Sequence, residues 1–298
     1  MFFTLALTVG GLLVLALAAI LAMSAWIAYG LTRAYRIPVS GHPTELGLKF
    51  EDAAFPSRKD RVPLRGWYLP APGDSRCIIF LQGQEHHRNS PGIRALQLAG
   101  DLVKEGYSAL LFDFRGRGES GGHRDSAGDR EQWDALGAMD YVVGRGIPLE
   151  RIGLLGFSLG AAVALLVAAR EPRIAAVVAD SAWLDSLEEL RRVPFLQTYL
   201  PAWFAFPITL VGRICFGADF SKVRPIKVVG KIPRPIFFIH GGQDHVIPFQ
   251  ETRQLYLASG NTEDRVWIVP EAGHVSSYRR QPAEYAAKVV GFFQRHFD

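Results

Sequence analysis

The chain of 298 residues is 49% hydrophobic and 21% charged, a composition that provides a large buried core and excludes global disorder. Its net charge is only +4, and its 33 basic and 29 acidic residues are interspersed. No stripe of lysine and arginine follows the chain, so nucleic acid is not an expected partner. The two cysteines, Cys77 and Cys215, lack the spacing of a metal or redox motif.

The amino-terminal segment, residues 1–32, contains no charged side chain and is almost entirely apolar. It is longer than the ~20 apolar residues that a membrane-spanning helix needs, and Trp26 and Tyr29 followed by Arg33 and Arg36 are typical of a membrane interface. We predict an uncleaved single-pass anchor, and the positive-inside rule favours the cytoplasmic face for the rest of the chain. The alternative is a cleaved signal peptide with "AMSA" as its cleavage site. The missing basic flank and the length of the apolar run speak against it.

Residues 33–47 are predicted to be a linker, and residues 48–298 a single domain. The domain begins with two strand-like stretches, "LKFEDAAF" and "VPLRGWYL". Short continuous apolar runs then alternate with helical patterns: "CIIFL", "SALLF", "RIGLLG", "IAAVVA", "PIFFIH" and "RVWIV". Such runs are typical of parallel strands covered on both faces. We therefore predict an α/β fold whose sheet is mostly parallel, with helices on both faces and the first two strands as an antiparallel edge. The predicted helices cover residues 92–105, 129–144, 159–170, 249–259 and 281–296.

The alternation of strands and helices stops between residues 184 and 232. This segment, which we call the insert, contains several prolines. Its aromatic residues include Phe195, Tyr199, Trp203, Phe204, Phe206 and Phe216. Two interpretations remain open from the sequence: a lid over a substrate pocket, or ordinary helical packing.

A Gly-x-Ser-x-Gly pattern, "GFSLG" at residues 156–160, joins a buried run to an alanine-rich helical pattern. This is the setting of a nucleophile elbow. The elbow needs both glycines because a Cβ at Gly156 or Gly160 would collide with the flanking strand or helix. The helix after the elbow offers N–H groups and a positive dipole to developing negative charge. The pattern alone is common, and a turn without chemistry is the alternative.

A serine nucleophile needs a base, and the base needs a carboxylate that fixes its tautomer. Asp244 follows one apolar run in "FFIHGGQDHVIP", and His274 follows the next in "VWIVPEAGH". Both residues and Ser158 come after carboxyl ends of predicted strands, where open α/β sheets collect their ligands. The order Ser, Asp, His is the one that the elbow predicts. We predict these three side chains as the catalytic group.

Residues 48–298 resemble the alpha/beta-hydrolase superfamily. They are most similar to its membrane-anchored alpha/beta-hydrolase-domain proteins and to the serine aminopeptidase and monoacylglycerol lipase-like group. The match is carried by "GFSLG", "IHGGQDHVIP", "EAGH" and the loop "FDFRGRGESGG". The resemblance implies the alpha/beta-hydrolase fold with a short helical lid. It further implies Ser158 as nucleophile, His274 as general base and then acid, Asp244 as the residue that orients it, and the Leu159 N–H as one oxyanion donor.

The loop that supplies the second oxyanion donor departs from the family pattern. Relatives usually carry His-Gly-x after the first central strand, whereas this chain has "LQGQEHH" with Gln82 in place of the histidine. The backbone N–H of Gln84 is the expected donor, because the role needs backbone geometry and not a particular side chain. Gln82 and Glu85 change the composition of this loop.

Two further patterns are interpreted as structural. "GRGESG" at residues 116–121 matches a dinucleotide-binding pattern, but it does not open directly into a helix, and the acidic residue about 20 positions on, Asp140, lies within a helical pattern. "EHHR" at residues 85–88 has adjacent histidines without partners at wider spacing, which favours a solvated or pocket-rim loop over a metal site. Asp113 is expected to hold loop structure.

The sequence thus predicts a membrane-anchored serine hydrolase that cleaves a carboxylic ester or thioester, of a lipid-like or other acyl substrate, through an acyl-enzyme. Neither a cofactor nor a metal is expected. Two alternatives stay open. A serine peptidase of the aminopeptidase type shares the same motifs, and the altered "QGQE" loop suits a non-catalytic membrane-tethered interaction domain.

Overall fold

A computed structural model describes residues 1–73, 75–84 and 86–297 of the chain, without the side chains of residues 194–196. Glu85 and the side chain of Phe195 lie outside the described residues. The strands are β1 (Glu51–Pro56), β2 (Pro63–Leu69), β3 (Cys77–Leu81), β4 (Ser108–Phe112), β5 (Ile152–Phe157), β6 (Ala176–Asp180), β7 (Ile236–Gly241) and β8 (Arg265–Val269). They form one mixed sheet in the order β1-β2-β4-β3-β5-β6-β7-β8.

The sheet is mostly parallel, as predicted. β1 pairs with β2 and β2 with β4 in antiparallel fashion, whereas the pairs from β4 to β8 are parallel. Strands β3 to β7 are buried along their whole length, which explains their continuous apolar runs. Two apolar clusters, one on each face of the sheet, form the core.

Each predicted helix is present. The helices are α1 (Phe2–Thr32), α2 (Ala95–Lys104), α3 (Glu131–Gly144), α4 (Leu159–Arg170), α5 (Ser186–Arg192), α6 (Pro194–Tyr199), α7 (Ala205–Val211), α8 (Phe249–Ser259), α9 (Ser277–Arg280) and α10 (Pro282–Gln294). The helix expected over residues 281–296 is α10, and a separate short helix, α9, precedes it. The break falls at Gln281, which has a φ of −135°, and Pro282 begins α10 at a position where its missing N–H has no cost.

The insert is helical and packs against the end of α1. It comprises α5, α6 and α7, followed by a π-helical turn at Gly212–Phe216 and several 3₁₀ turns. A third apolar cluster joins Ile27 and Ala28 of α1 to residues of the insert, which are Leu190, Phe204, Ile208 and Val211. The insert therefore buries one of its faces against a helix that lies more than 150 positions earlier in the chain.

Helix α1 has 31 residues and is long and apolar enough to cross a membrane. Its end is attached to the domain by hydrogen bonds. The carbonyl of Thr32 accepts from the N–H of Asp125 at 2.8 Å. The guanidinium of Arg36 donates to the carbonyls of Gly118 and Gly122 at 3.0 and 2.7 Å. The start of the connector after α1 thus lies against the domain surface.

Candidate active site

The turn between β5 and α4 holds Ser158 in a strained conformation, with φ 52° and ψ −115°. A residue other than glycine held in such a region costs about 1–3 kcal/mol. The two flanking glycines make the turn sterically accessible. A Cβ at Gly156 would lie 2.3 Å from the carbonyl oxygen of Gly160, and one at Gly160 would lie 1.8 Å from that of Leu81. The predicted need for glycine at both positions is therefore confirmed.

The ends of three parallel strands bring Ser158, Asp244 and His274 together. Nε2 of His274 lies 3.0 Å from Oγ of Ser158, after β5. Nδ1 of His274, after β8, lies 2.7 Å from Oδ2 of Asp244, after β7. Since an ionised carboxylate only accepts hydrogen bonds, Nδ1 carries the proton and Nε2 accepts from the serine hydroxyl. This is the arrangement that a base needs in order to take the proton of an attacking serine.

The carboxylate of Asp244 has four donors around it. Oδ1 accepts from the N–H groups of Val246 and Ile247, both at 2.9 Å. Oδ2 also lies 3.1 Å from Nε2 of His240, a buried residue of β7. Burial raises the pKa of Asp244, but the hydrogen bonds from His240 and His274 outweigh it and hold that pKa well below its usual range. An ionised Asp244 stabilises a positive charge on His274.

His240 was not predicted from the sequence as a residue of the site. Besides Asp244, its Nε2 faces the carbonyl of Ile247 at 2.9 Å. Its Nδ1 lies 2.7 Å from Oγ1 of Thr252. The available signal was its position four residues before the acid in "IHGGQDH". A histidine inside an apolar strand is readily taken for core, and nothing local shows that it faces Asp244.

The two expected oxyanion donors come from the residue directly after the serine and from the loop after β3. Leu159 begins α4, so its N–H has no acceptor four residues earlier in the helix. Gln84 lines the same cavity as Ser158, and a Cβ at Gly83 would lie 3.5 Å from the Cβ of Ser158. Gln82, which replaces the family histidine, is buried. Its amide donates to the carbonyl of Arg88 at 3.2 Å and so braces the loop.

Asp113 holds loop structure as expected. Its carboxylate accepts from the backbone N–H and the guanidinium of Arg88, at distances of 2.6 to 3.0 Å, and from the N–H of Glu119 at 3.0 Å. It thereby joins the loop after β3 to the loop after β4. Of the two neighbouring histidines, His87 is buried and His86 lines the same cavity as Ser158. His86 therefore lies at the rim of a pocket, one of the two settings expected for this stretch.

Arg117 contacts the oxyanion loop, and the sequence analysis did not identify it. Its guanidinium donates to the carbonyl of Gly83 at 2.8 Å and forms a hydrogen-bonded ion pair with Asp125. Both side chains are almost fully buried, with exposed fractions of 3% and 5%. Arg117 lies in the "GRGESG" stretch, but no local pattern marks it as a partner of Gly83.

A cavity of about 370 Å³ lies above Ser158 and His274. It is bounded by the loop after β3, the loop 123–128, the insert and the last turn of α1. Its apolar lining consists of Leu31, Ala127, Trp183, Leu190, Val193, Phe220, Val246, Ile247 and Val275. Such a cavity provides an apolar environment for a substrate group bound beside the serine.

One wall of this cavity is charged. The guanidinium of Arg192 lies 2.6 Å from the carboxylate of Glu189 and also contacts that of Glu251. Burial, together with the nearby charge of Glu251, raises the pKa of Glu189 to about 7. Glu189 and Arg192 line the cavity, and Glu251 is buried beside them, so the group of three carries a net negative charge when both carboxylates are ionised. These residues also escaped the sequence analysis, because they come from the insert and from α8.

Comparisons with known proteins agree with this architecture. A family model described as X-Pro dipeptidyl-peptidase (S15 family) matches residues 55–195. The uncharacterized protein YqkD of Bacillus subtilis is 29% identical over 239 residues, which are 79% of this chain and 76% of YqkD. The alpha/beta hydrolase domain-containing protein WAV2 of Arabidopsis thaliana is 25% identical over 298 residues, covering 96% of this chain and 92% of WAV2.

Among solved structures, the esterase Pf2001 of Pyrococcus furiosus superposes with a TM-score of 0.74 and 26% sequence identity. The match covers 89% of this chain and 100% of the esterase. The likeness therefore extends over most of the chain.

Proposed function

Because the chain belongs to the alpha/beta-hydrolase superfamily, we propose that it is a serine hydrolase that cleaves a carboxylic ester or thioester through an acyl-enzyme. The observation that carries this proposal is the continuous hydrogen-bonded path from Ser158 through His274 to Asp244, with separations of 3.0 and 2.7 Å. This path lies at the base of a largely apolar cavity. The similarity to an esterase over most of the chain supports the same reaction type.

In the proposed mechanism, Nε2 of His274 takes the hydroxyl proton of Ser158 as Oγ attacks the carbonyl carbon of the substrate. The N–H groups of Leu159 and Gln84 donate to the oxyanion that forms. His274 then gives its proton to the leaving alcohol or thiol, and the acyl group stays on Oγ. A water molecule, deprotonated by the same nitrogen, releases the acid. Asp244 holds the ring in the required tautomer and stabilises its charged form throughout.

The proposed substrate carries a long or lipid-like acyl group. The cavity presents mainly apolar side chains beside Ser158, and Leu31 at the end of α1 is one of them. Burying apolar substrate surface there is favourable by about 25 cal/mol per Å². A preference for short water-soluble esters over long-chain ones would argue against this part of the proposal.

The proposed location is a membrane, with α1 as a single-pass anchor. The length and apolarity of α1 support this, and Arg33 and Arg36 directly after it favour the cytoplasmic face for the domain. The mass of the amino-terminal peptide in membrane fractions tests whether α1 is retained or removed as a signal sequence. A reporter fused after the last residue, assayed on each side of the bilayer, tests the orientation.

Labelling with a fluorophosphonate probe tests the catalytic proposal. The full chain in membranes or detergent should be labelled on the peptide that contains Ser158, and the Ser158→Ala variant should not be labelled. Ser259→Ala, at the end of α8, is a matched control that should be labelled like the wild type. Equal labelling of the wild type and Ser158→Ala, or none of either, would favour the alternative of a non-catalytic interaction domain.

A serine peptidase is the second candidate, and the charged wall of the cavity favours it. A protonated amino terminus of a peptide would be attracted by Glu189 and Glu251, which are only partly neutralised by Arg192. The family model over residues 55–195 points to the same reaction class. Amino-acyl amides and their N-acetylated counterparts separate the two candidates. The peptidase would be supported if the amides with a free amino group were cleaved faster than their N-acetylated counterparts and faster than esters.

A further inference from the structure

The contact between Arg117 and Gly83 determines the orientation of a peptide group as well as the position of a loop. The carbonyl of Gly83 and the N–H of Gln84 belong to one peptide group, which is planar and trans, so the two bonds point in opposite directions. Arg117 donates to that carbonyl at 2.8 Å. Fixing the direction of the carbonyl therefore fixes the direction of the N–H. A charged donor on the oxygen also polarises the peptide group and strengthens its N–H as a donor.

Arg117 is itself held by Asp125. The carboxylate of Asp125 pairs with the second arm of the guanidinium, and its other oxygen accepts from the N–H of Ala127 at 2.7 Å. A planar guanidinium with several donors suits this bridging role, which a single-point ammonium cannot fill. With both charges buried and paired, the guanidinium has a single well-defined position.

The backbone of Asp125 is held in turn by the last residue of α1. Its N–H donates to the carbonyl of Thr32 at 2.8 Å. The neighbouring Arg124 lies over the ring of Tyr29 in α1 and over the ring of Phe216 in the insert, at 4.8 and 4.6 Å from the ring centres. The end of α1 is therefore fastened to loop 123–128 by backbone and side-chain contacts.

We propose that the last turn of α1 is part of the active site, because it sets the second oxyanion donor through Asp125 and Arg117. The path runs from the Thr32 carbonyl to Asp125, from its carboxylate to Arg117, and from the guanidinium to the Gly83–Gln84 peptide group. Arg117 and Asp125 are positioning residues in this scheme. The inference rests on the proposed serine hydrolase function, and it assigns α1 a role in turnover besides that of an anchor.

Two variants of the full chain in detergent micelles test the proposal with a short soluble ester. Arg117→Lys keeps the charge beside Asp125 but loses the two-armed guanidinium. The double variant Arg117→Met/Asp125→Asn removes both charges, so that neither is left buried without a partner. Since loss of an oxyanion donor costs about 10²–10³ in kcat, a misdirected donor should lower kcat by about 10- to 100-fold. KM should change far less, because the oxyanion forms only after substrate binding.

Arg58→Met is the matched control. Arg58 also uses two arms of its guanidinium, on the carboxylate of Asp140, but Asp140 belongs to α3 and not to α1 or the oxyanion loop, so kcat should stay within about twofold of the wild type. A trifluoromethyl ketone, which forms an oxyanion on the serine, should bind both Arg117 variants more weakly by a factor that matches the loss in kcat. A purely structural role would not produce that match.

The outcomes separate the two proposals. If the wild type hydrolyses the ester and is labelled at Ser158, but folded Arg117 variants keep its kcat, the role of α1 and Arg117 is wrong and the proposed function stands. A loss that appears only in KM overturns the role as well. If the wild type is neither labelled nor active, the proposed function itself fails. Thermal unfolding of each variant shows which of them are folded, and either Arg117 variant alone suffices for the test.

Discussion

The two sides of the cavity are built in different ways. On one side, Ser158, Asp244 and His274 follow the parallel strands β5, β7 and β8 of one sheet, and the hydrogen bonds of the sheet fix their separation. On the other side, α1, the insert and loop 123–128 come from distant parts of the chain and meet through a small apolar cluster and a few polar contacts. The first side carries groups suited to bond cleavage. The second bounds the space that a substrate would fill, so substitutions on the two sides should affect different kinetic constants.

The largest effect is expected for Asp244→Asn on the strand side. An amide leaves His274 in the wrong tautomer, and kcat should fall by about 10⁴-fold with the fold intact. The matched control is Asp180→Asn, at the end of the adjacent strand β6. Burial raises the pKa of Asp180, and its carboxylate accepts from Ser181 and Tyr285 instead of the histidine. Steady-state ester hydrolysis checks both, and equal losses in the two variants would contradict the assignment of Asp244.

A smaller effect, in a different constant, is expected on the assembled side. Ile208 of α7 is fully buried in the cluster that joins the insert to α1. Its replacement by alanine should lower the free energy of unfolding by about 2–5 kcal/mol. The insert should dock less firmly, so KM for an octanoyl ester should rise about tenfold, with less change for an acetyl ester. Leu210→Ala, on the exposed side of α7, is the matched control. An equal loss of kcat for both esters would show that the two sides are not separable.

Gln82→His tests whether the altered loop limits the rate. The side chain of Gln82 braces the loop through one hydrogen bond to Arg88, and the proposed oxyanion donor is a backbone group. Since such a bond contributes about 0.5–1.5 kcal/mol, restoring the family histidine, which also carries a donor, should change kcat by about threefold or less. The rate of fluorophosphonate labelling is a direct measure. A gain of two orders of magnitude would mean that glutamine impairs the oxyanion hole.

The smallest effect concerns stability and comes from the charged wall. The pKa of Glu189 is about 7 in the folded chain against an ordinary value of 4.5, so the folded state binds the proton more tightly. Stability is therefore lost as the pH rises from 4.5 towards 7, and the slope should be shallower in Glu189→Gln. Glu189 is partly exposed, with a side-chain fraction of 21%, which keeps the effect below that of Ile208→Ala. Thermal unfolding across this pH range checks the prediction, and identical slopes would contradict the raised pKa.

The strand side was largely predictable from sequence because each of its parts has a local signal. Continuous apolar runs indicated buried parallel strands. The Gly-x-Ser-x-Gly pattern marked the elbow, and Asp244 and His274 each follow such a run. The order of strands in the sheet was not predictable from the runs themselves, since pairing is decided by long-range packing. The short helix α9 was not predicted because its one turn, Ser277–Arg280, is mostly polar and shows no apolar periodicity.

The assembled side was not predictable because its contacts join residues that are far apart in the chain. Arg117 and Gly83 are 34 residues apart, and Arg192 and Glu251 are 59 apart. Neither pair lies within a single helix or strand, so no periodic spacing in the sequence predicts the contact. The docking of α1 on the insert depends on a face of α1 that is apolar like all its other faces. Only the folded chain shows which face is covered.

The position in α1 at which burial begins determines how much of the helix is free to cross a membrane. Up to residue 23 its side chains are exposed, apart from Ile20, which packs half-buried against the third apolar cluster, and the first fully buried residue is Ser24. Residues 2–23 extend about 33 Å at 1.5 Å per residue, close to the ~30 Å hydrocarbon thickness of a bilayer. With α1 across a membrane, Leu31 and the serine beyond it would stand at the level of the lipid headgroups. Because the helix is fastened to the domain, the depth of Ser158 relative to the membrane would be fixed. Only substrate bonds that lie at that depth in the leaflet would then reach the serine.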